Sequence, residues 1–208
     1  MISVYQLKPR FQSLLRPVVR RLAAAGVTAN AVTLLAMVIS CALGALLLAA
    51  NDPQWFLALP VWMFLRMALN AVDGMLAREF GQKTPLGAYL NELTDVVSDA
   101  ALFLPFVAVA PFGWASVSAV IFLAGLSEMS GALGPMVGAP RCYDGPMGKS
   151  DRALVFGCLG LWLGVAGTLP AWLFWLMPAV SALILLNIVN RVRHGVAQVQ
   201  LHTKREKQ

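Results

Sequence analysis

The stretch N-A-V-D-G-M-L-A-R-E-F-G-Q-K-T-P-L-G-A-Y-L-N-E-L-T-D-V-V-S-D, residues 70–99, decides the fold because it places polar side chains at helical spacing on two apolar segments. Asn70 and Asp73 are three residues apart and therefore share one helix face. A second helix carries a ladder of three polar residues at intervals of four: Asn91, Asp95 and Asp99. Carboxylates are costly inside apolar segments of membrane length, so these residues are candidates for a functional site.

The composition of the 208-residue chain is that of a membrane protein. Hydrophobic residues make up 59% and charged residues 12%, whereas soluble domains carry about 25% charged residues. Several apolar stretches reach the roughly 20 residues that span a bilayer. We therefore predict a single all-α domain over residues 1–208, a polytopic integral membrane protein with no nucleic acid partner. The three cysteines indicate no disulfide or zinc framework.

Six membrane-spanning helices are predicted, at residues 31–50, 55–77, 86–110, 114–135, 152–168 and 170–190. All Lys and Arg residues except Arg66 fall before the first span, after the second, after the fourth and after the sixth. The positive-inside rule then places both termini and the active site on the cytoplasmic side. For a bacterial-type protein this membrane is the inner membrane.

Both ends of the chain are basic. Residues 1–30 are predicted to form an amphipathic juxtamembrane segment, with an N-terminal helix that lies on the membrane surface. Two roles stay open for this segment, anchoring to anionic lipids and a contribution to substrate access. Residues 191–208 are predicted to form a basic cytoplasmic tail.

The second and third spans run antiparallel and are joined by a short loop, so we predict that they are neighbours. Counting outward from the loop pairs residues at equal depth: Asp73 with Asn91, Asn70 with Asp95, and Arg66 with Asp99. Each pair lies about one helical turn deeper than the last. The pattern predicts a polar slot that opens to the cytoplasm. Asp99 at its floor either forms a buried ion pair with Arg66 or joins the catalytic residues.

The slot offers only oxygen ligands: Asp73, Asp95, Asn70 and Asn91. Such ligands suit Mg²⁺ or Mn²⁺, which bridge to substrate phosphates. A divalent ion beside a pyrophosphate stabilises the charge on the leaving phosphate. Glu92 lies at the edge of the slot and either joins the metal ligands or faces a neighbouring helix. The competing interpretation is a polar network that only holds two membrane helices together.

The spacing resembles the signature of the CDP-alcohol phosphatidyltransferases, D-x2-D-G-x2-A-R-x8-G-x3-D-x3-D. The matching positions are Asp73, Gly74, Ala77, Arg78, Gly87 and Asp95. Asn70 and Asn91 replace two of the signature aspartates. The resemblance implies an enzyme of phospholipid biosynthesis that moves a phosphatidyl group from a CDP-alcohol, such as CDP-diacylglycerol, to a hydroxyl acceptor and releases CMP.

The resemblance also implies roles for individual residues. Asp95 takes the position of the general base, and Asp73 with the residues at positions 70 and 91 takes the metal site. The residues implied to line the site of the CDP moiety are Gly74, Ala77, Arg78 and Gly87. The implied cofactor is Mg²⁺ or Mn²⁺. Because an amide does not offset the charge of a metal ion, the two asparagines are expected to weaken metal binding.

A second basic cluster lies between the fourth and fifth spans and contains Arg141, Lys149 and Arg152. The resemblance implies that basic residues here hold a phosphate on the acceptor, and we assign this role to Lys149 and Arg152. The alternative is an ordinary positive-inside loop. Residues 145–150, G-P-M-G-K-S, are not a P-loop, because the glycines are too close together and no strand precedes them. Glu128 is a buried carboxylate of the fourth span with no assigned role.

The expected function is therefore that of a membrane-embedded phosphatidyltransferase. Its expected partners are the CDP-alcohol, a hydroxyl acceptor of unknown identity and the lipid bilayer, and a homodimer is left open. One alternative is a catalytically weakened relative that binds CDP-lipid or regulates synthesis. Another is a small membrane transporter, although transporters often carry internal repeats and none is visible in this sequence.

Overall fold

A computed structural model of the protein describes residues 4–50, 52–142 and 145–205, with side chains described over residues 11–200 of these ranges. The described chain contains the α-helices α1 (Val4–Ala24), α2 (Ala29–Ala49), α3 (Ala58–Glu79), α4 (Pro85–Phe103), α5 (Trp114–Ala132), α6 (Lys149–Ala166) and α7 (Leu176–Arg205). Short 3-10 turns lie at Pro53–Leu57, Leu104–Ala108, Gly134–Val137 and Ala171–Trp175. The predicted all-α fold is confirmed.

Four segments are long and apolar enough to cross a bilayer: Ala29–Ala49, Pro53–Glu79, Trp114–Ala132 and Ala171–Gln200. These segments agree with a polytopic membrane protein. Helices α4 and α6 do not meet the same criterion of length, hydropathy and charge, because each contains three charged residues. The predicted count of six spans is therefore not confirmed by hydropathy alone.

Two predicted boundaries differ from the observed helices. The third span was expected to reach residue 110, but α4 ends at Phe103 and a 3-10 turn with Pro105 follows. Proline has no backbone N–H and cannot continue the hydrogen-bond ladder of an α-helix. At the other end of the chain, α7 continues without a break from the sixth predicted span through the described part of the basic tail, to Arg205.

The helices form an arc around a polar centre, in the order α6, α3, α2, α4, α5, α7. Helix α2 packs against both α3 and α4, while α3 and α4 make little backbone contact with each other. The predicted direct packing of the second and third spans is therefore wrong. Gly44 explains the position of α2, because a Cβ atom at this residue would overlap the carbonyl oxygen of Ala101 in α4.

The larger of two apolar clusters contains most of the buried aromatic rings of the bundle. The rings of Phe103 and Phe156 stack with centroids 3.8 Å apart, and Phe106 meets Phe156 edge to face at 5.2 Å. These contacts join α4, the turn after it and α6. Because lipid is as apolar as these side chains, close van der Waals packing is what stabilises this core.

Helix α1 is amphipathic, as predicted, and its inner face packs on α3. Val19 is fully buried, whereas Leu14 is 75% exposed. The ring of Phe11 meets that of Phe64 edge to face at 6.3 Å. Arg16 donates to both carboxylate oxygens of Glu79, at 3.1 and 2.9 Å. Two contacts of different chemistry therefore fasten the surface helix to α3.

Candidate active site

Asp73 is buried in α3 and faces α2. The hydroxyl of Thr33 donates to Asp73 Oδ2 at 2.8 Å. Sequence reasoning did not identify Thr33, because nothing in the signature reports which residue of the first span faces the slot. This hydrogen bond fixes one carboxylate oxygen of Asp73 and orients the other.

Asp95 is held by cations from two helices. The Nζ atom of Lys149 lies 2.5 Å from Asp95 Oδ1, and Arg66 Nη2 lies 3.3 Å from the same oxygen. Arg66 also donates to the backbone carbonyl of Asp95 at 3.1 Å. The Asp95 side chain is 17% exposed, so a ligand in the slot can reach it. Lys149 at the start of α6 is thereby brought to the centre of the site, as expected for a residue of the substrate pocket.

A cleft of about 590 Å³ lies between α3 and α6. Its polar lining residues include Arg66, Asn70 and Lys149. Its apolar lining residues include Pro60, Met63, Phe64, Met67, Leu154 and Leu161. Because Lys149 also contacts Asp95, the polar part of the cleft adjoins the residue predicted as the general base.

The residues predicted to surround the CDP moiety lie around the loop between α3 and α4. The guanidinium group of Arg78 folds over Gly74, where an added Cβ atom would lie 3.0 Å from Arg78 Nη1. A Cβ atom at Gly87 would lie 2.7 Å from the side-chain oxygen of Asn30 in α2. The absence of a Cβ atom at these two glycines therefore makes room for the side chains of Arg78 and Asn30. Ala77 lies on the same segment of α3 and is partly buried.

Gln82 joins this loop to the start of α2. Its Oε1 accepts from the backbone N–H of Ala29 at 2.7 Å, and its Nε2 donates to the carbonyl of Val27 at 3.3 Å. Thr84 caps α4 by accepting from the Gly87 N–H at 2.9 Å. Gln82 and Asn30 escaped the sequence analysis because they lie outside the signature positions that were used.

The ion pair between Arg66 and Asp99 is present, as the register of the two spans predicts. Arg66 Nη1 lies 2.5 Å from Asp99 Oδ1, and both side chains are buried. Helix α2 lies against both α3 and α4, and the long side chain of Arg66 crosses the gap between them. The equal depth of the two residues was therefore correct even though the direct packing of their helices was not.

Arg152 joins the same network from α6. Its Nη2 lies 3.1 Å from Asp99 Oδ2 and 2.9 Å from Glu128 Oε1, and its side chain is 0% exposed. The assignment of Arg152 to the acceptor phosphate is corrected, because its guanidinium group is enclosed between two carboxylates and does not line the cleft. Lys149 does line the cleft and stays a predicted phosphate ligand.

Glu92 and Glu128 both face arginines. Glu92 forms an ion pair with Arg141, so the structure supports its contact with a neighbouring element over a place among the metal ligands. Glu128 in α5 lies near three arginines, which come from the segment before α6, from α6 and from α7. Sequence reasoning could not pair these residues, because they are far apart in the chain.

The described residues contain no group of three or more His, Cys, Asp and Glu side chains arranged to hold a metal ion. The predicted ligands Asp73 and Asp95 are two carboxylates, and the other two predicted ligands are the amides of Asn70 and Asn91. One oxygen of Asp95 already contacts Lys149. This donor set fits a single hard cation and lacks the four carboxylates that would balance a pair of ions.

With the helix bundle and its polar centre described, the family of the protein can be stated. Residues 26–182 match the family model described as CDP-alcohol phosphatidyltransferase, and the chain belongs to that family. The chain is 47% identical over 195 residues to the inner membrane protein YnbA of Escherichia coli K12, covering 92% of this chain and 96% of that protein. It is 29% identical over 212 residues to phosphatidylinositol phosphate synthase of Mycolicibacterium smegmatis, covering 93% and 90%.

The fold is also that of a solved enzyme. The crystal structure of Mycobacterium tuberculosis phosphatidylinositol phosphate synthase (PgsA1) with CDP-DAG bound superposes with a TM-score of 0.69 at 22% identity, covering 86% of this chain and 92% of that one. A second structure of the same protein, in complex with manganese and citrate, gives a TM-score of 0.67 at 21% identity, covering 86% and 87%. The predicted family and the predicted all-α membrane fold are confirmed.

Proposed function

We propose that the protein transfers a phosphatidyl group from CDP-diacylglycerol, or a closely related CDP-alcohol, to a hydroxyl acceptor and releases CMP. The main support for this proposal is that three features of the structure lie next to one another. A cleft with apolar walls, a basic residue that lines it and a carboxylate in contact with that residue adjoin each other. The proposed location is the cytoplasmic face of a bacterial inner membrane, because the positive-inside pattern places the loop after α3 on that side.

The cleft suits a lipid donor. Apolar side chains of α3 and α6 line much of it, which fits an acyl chain that enters from the bilayer. Its basic lining residues, Lys149 and Arg66, suit the charged headgroup of the same molecule. Arg78 lies exposed at the cytoplasmic end of α3, where it can reach a phosphate of the nucleotide. One donor molecule can therefore satisfy both the apolar and the basic parts of the site.

The proposed reaction is a displacement at the phosphorus atom that carries the diacylglycerol. The acceptor hydroxyl oxygen forms a bond to this phosphorus, the bond to the bridging oxygen of the pyrophosphate breaks, and CMP leaves with that oxygen. Asp95 takes the proton of the acceptor hydroxyl. Lys149 and Arg66 hold the Asp95 carboxylate in place, so the base is positioned before the acceptor arrives.

A divalent ion fits this proposal through Asp73, with Asn70 and Asn91 as additional oxygen donors and Asp95 beside them. Mg²⁺ or Mn²⁺ bound there would offset negative charge on the phosphates of the substrate. The amides contribute lone pairs but no charge, so binding is expected to be weaker than in a site of four carboxylates. Thr33 supports such an ion indirectly, by fixing one oxygen of Asp73.

Restoring the signature carboxylates should strengthen metal binding. The double variant Asn70→Asp with Asn91→Asp is expected to bind Mn²⁺ more tightly by about tenfold or more, because ligand charge sets the affinity for hard cations. Manganese titration of the purified protein measures this directly. Gln54→Glu adds a carboxylate at an exposed position on the opposite side and serves as the control. Unchanged or weaker binding in the double variant would place the ion elsewhere.

The direct test of the proposed function is an assay of CMP release. Purified protein in detergent is given CDP-diacylglycerol, Mg²⁺ or Mn²⁺ and a panel of alcohols, and CMP is measured with and without a chelator. We expect release that depends on both an acceptor and the metal. CDP-lipid binding without CMP release, for any acceptor in the panel, would instead support the alternative of a weakened relative that binds or senses CDP-lipid.

A further inference from the structure

Three arginines from three parts of the chain surround the carboxylate of Glu128. Arg152 of α6 lies 2.9 Å from Oε1, while Arg141, before α6, and Arg191 of α7 each lie 3.8 Å from Oε2. We call Arg141, Arg152 and Arg191 the arginine trio. Glu128 is 8% exposed, and two of the three arginines are buried. Both oxygens of Glu128 therefore have cationic partners inside the bundle.

The arginine trio is an anion site by its chemistry. Guanidinium groups present several N–H donors in a plane, and this geometry matches carboxylates and phosphates equally well. Here the bound anion is supplied by the chain itself. Gly131 helps to bring the elements together, because a Cβ atom there would lie 2.6 Å from the carbonyl oxygen of Cys142 and 3.2 Å from Arg191 Nη1.

The arginine trio is connected to the proposed base by side chains in contact. Arg152 also binds Asp99, Asp99 binds Arg66, and Arg66 binds Asp95. A second connection runs through α4, since Glu92, the partner of Arg141, precedes Asp95 by three residues on the same helix. The arginine trio and the proposed base thus belong to one continuous network of ion pairs.

We propose that Glu128 determines acceptor specificity: its carboxylate occupies the anion site formed by the arginine trio, so the acceptor is an alcohol without a phosphate group. This inference rests on the proposed transferase function and names the substrate class for it. A phosphate on the acceptor would have to displace a carboxylate that is covalently part of the bundle and already paired on both oxygens. Uncharged alcohols and those without a phosphate meet no such competition.

The charges near the site support this assignment. Five cations are present in the connected ion pairs: Arg66, Arg141, Lys149, Arg152 and Arg191. Four carboxylates face them: Glu92, Asp95, Asp99 and Glu128. Removing the charge of Glu128 leaves two cations in excess, which a phosphate monoester of about two negative charges would balance.

Each arginine keeps another partner when Glu128 is neutralised, so variants at this position are suitable for a test. Arg152 retains Asp99 and Arg141 retains Glu92. Arg191 still donates to the backbone carbonyl of Ser127 at 2.5 Å. No arginine is left buried without any acceptor, which is the situation that would threaten folding.

The test compares matched acceptors with the wild type, Glu128→Gln and Glu128→Ala. The acceptor pairs are glycerol with glycerol 3-phosphate and inositol with inositol 1-phosphate, and CMP release is measured for each. We expect the wild type to use only the unphosphorylated member of a pair. The variants should gain about tenfold or more with the phosphorylated member, because an unpaired anion site favours the ligand that fills it. Glu79→Gln, at the surface pair with Arg16, is the matched control and should behave as the wild type.

A binding measurement separates the role of Glu128 from the transferase activity. Inorganic phosphate should raise the Tm of Glu128→Ala in detergent by more than that of the wild type, with chloride at equal ionic strength as the control. Wild-type protein that prefers a phosphorylated acceptor would overturn the inference and leave the proposed function intact. No CMP release from any acceptor would overturn the proposed function, and the phosphate measurement would then still decide whether Glu128 fills an anion site. If neither variant folds, CMP release by the wild type with each acceptor pair still tests whether the acceptor lacks a phosphate.

Discussion

Asp95→Ala should lower CMP release by roughly 10²–10⁴-fold, the usual contribution of a positioned general base. Asp95 is a partly buried carboxylate of the slot, and Lys149 and Arg66 contact its Oδ1 atom from two other helices. Asp95→Asn keeps the shape and the hydrogen-bond acceptor but removes the base. We therefore expect Asp95→Asn to remain folded and to be equally inactive, measured as CMP release beside thermal stability.

The same assay on Asp73→Ala tests the other signature carboxylate. Loss of this residue removes a charged ligand of the proposed ion, while the Thr33 hydroxyl keeps the backbone carbonyl of Ala29 as an acceptor at 3.0 Å. A large loss of turnover is expected, and excess Mn²⁺ should restore part of it if the residue acts through the metal. Glu79→Ala removes a carboxylate outside the slot and should leave turnover unchanged. Near-normal activity of both Asp73→Ala and Asp95→Ala would exclude these residues from the mechanism.

Asp99→Asn is expected to destabilise the folded protein by roughly 3–5 kcal/mol, because it removes the charged partner of buried guanidinium groups. Asp99 pairs with Arg66 at 2.5 Å and with Arg152 at 3.1 Å. After the substitution Arg66 retains Asp95 and Arg152 retains Glu128, so the protein should still fold. Thermal unfolding in detergent measures the loss.

The double variant Arg66→Met with Asp99→Leu distinguishes a structural pair from a catalytic one. Replacing both members with apolar side chains leaves no charge stranded between α3 and α4, so much of the lost stability should return. The surface pair provides the comparison, since Arg16→Met with Glu79→Leu should leave the Tm unchanged. An Asp99→Asn variant with normal stability and no CMP release would contradict the structural role and make Asp99 part of the chemistry.

The features of this site that could be predicted from the sequence are those set by the geometry of two helices joined by a short loop. Two helices joined by a short loop keep residues at matched depth, and this is why the pairing of Arg66 with Asp99 could be derived from residue numbers alone. The signature likewise placed Asp73 and Asp95 at the slot. The packing of α2 against both α3 and α4 could not be derived, because it depends on how closely Gly44 lets two backbones approach.

The ion pairs of Glu128 could not be predicted from the sequence. Arg152 was recognised as a basic residue near the acceptor, but its burial between Asp99 and Glu128 depends on three helices that meet only in the folded bundle. The resemblance to the family implied that Arg152 is a ligand of the acceptor phosphate. The tertiary structure instead made it the link between two carboxylates, and only Lys149 remained in the cleft.

The distribution of opposite charges between α4 and α6 has a consequence for how the protein is made. In the predicted six-span arrangement, α4 would bring Asp95 and Asp99 into the bilayer, while Lys149 and Arg152 would arrive with α6, about fifty residues later in the chain. A charged residue near the centre of a helix that inserts alone costs about 2.5–3.5 kcal/mol. Until α6 has been synthesised, Arg66 is the one cationic partner of Asp95 and Asp99 among the described ion pairs. Stable insertion of the two helices is therefore a joint event, and a nascent chain that ends before α6 should leave α4 poorly held in the membrane.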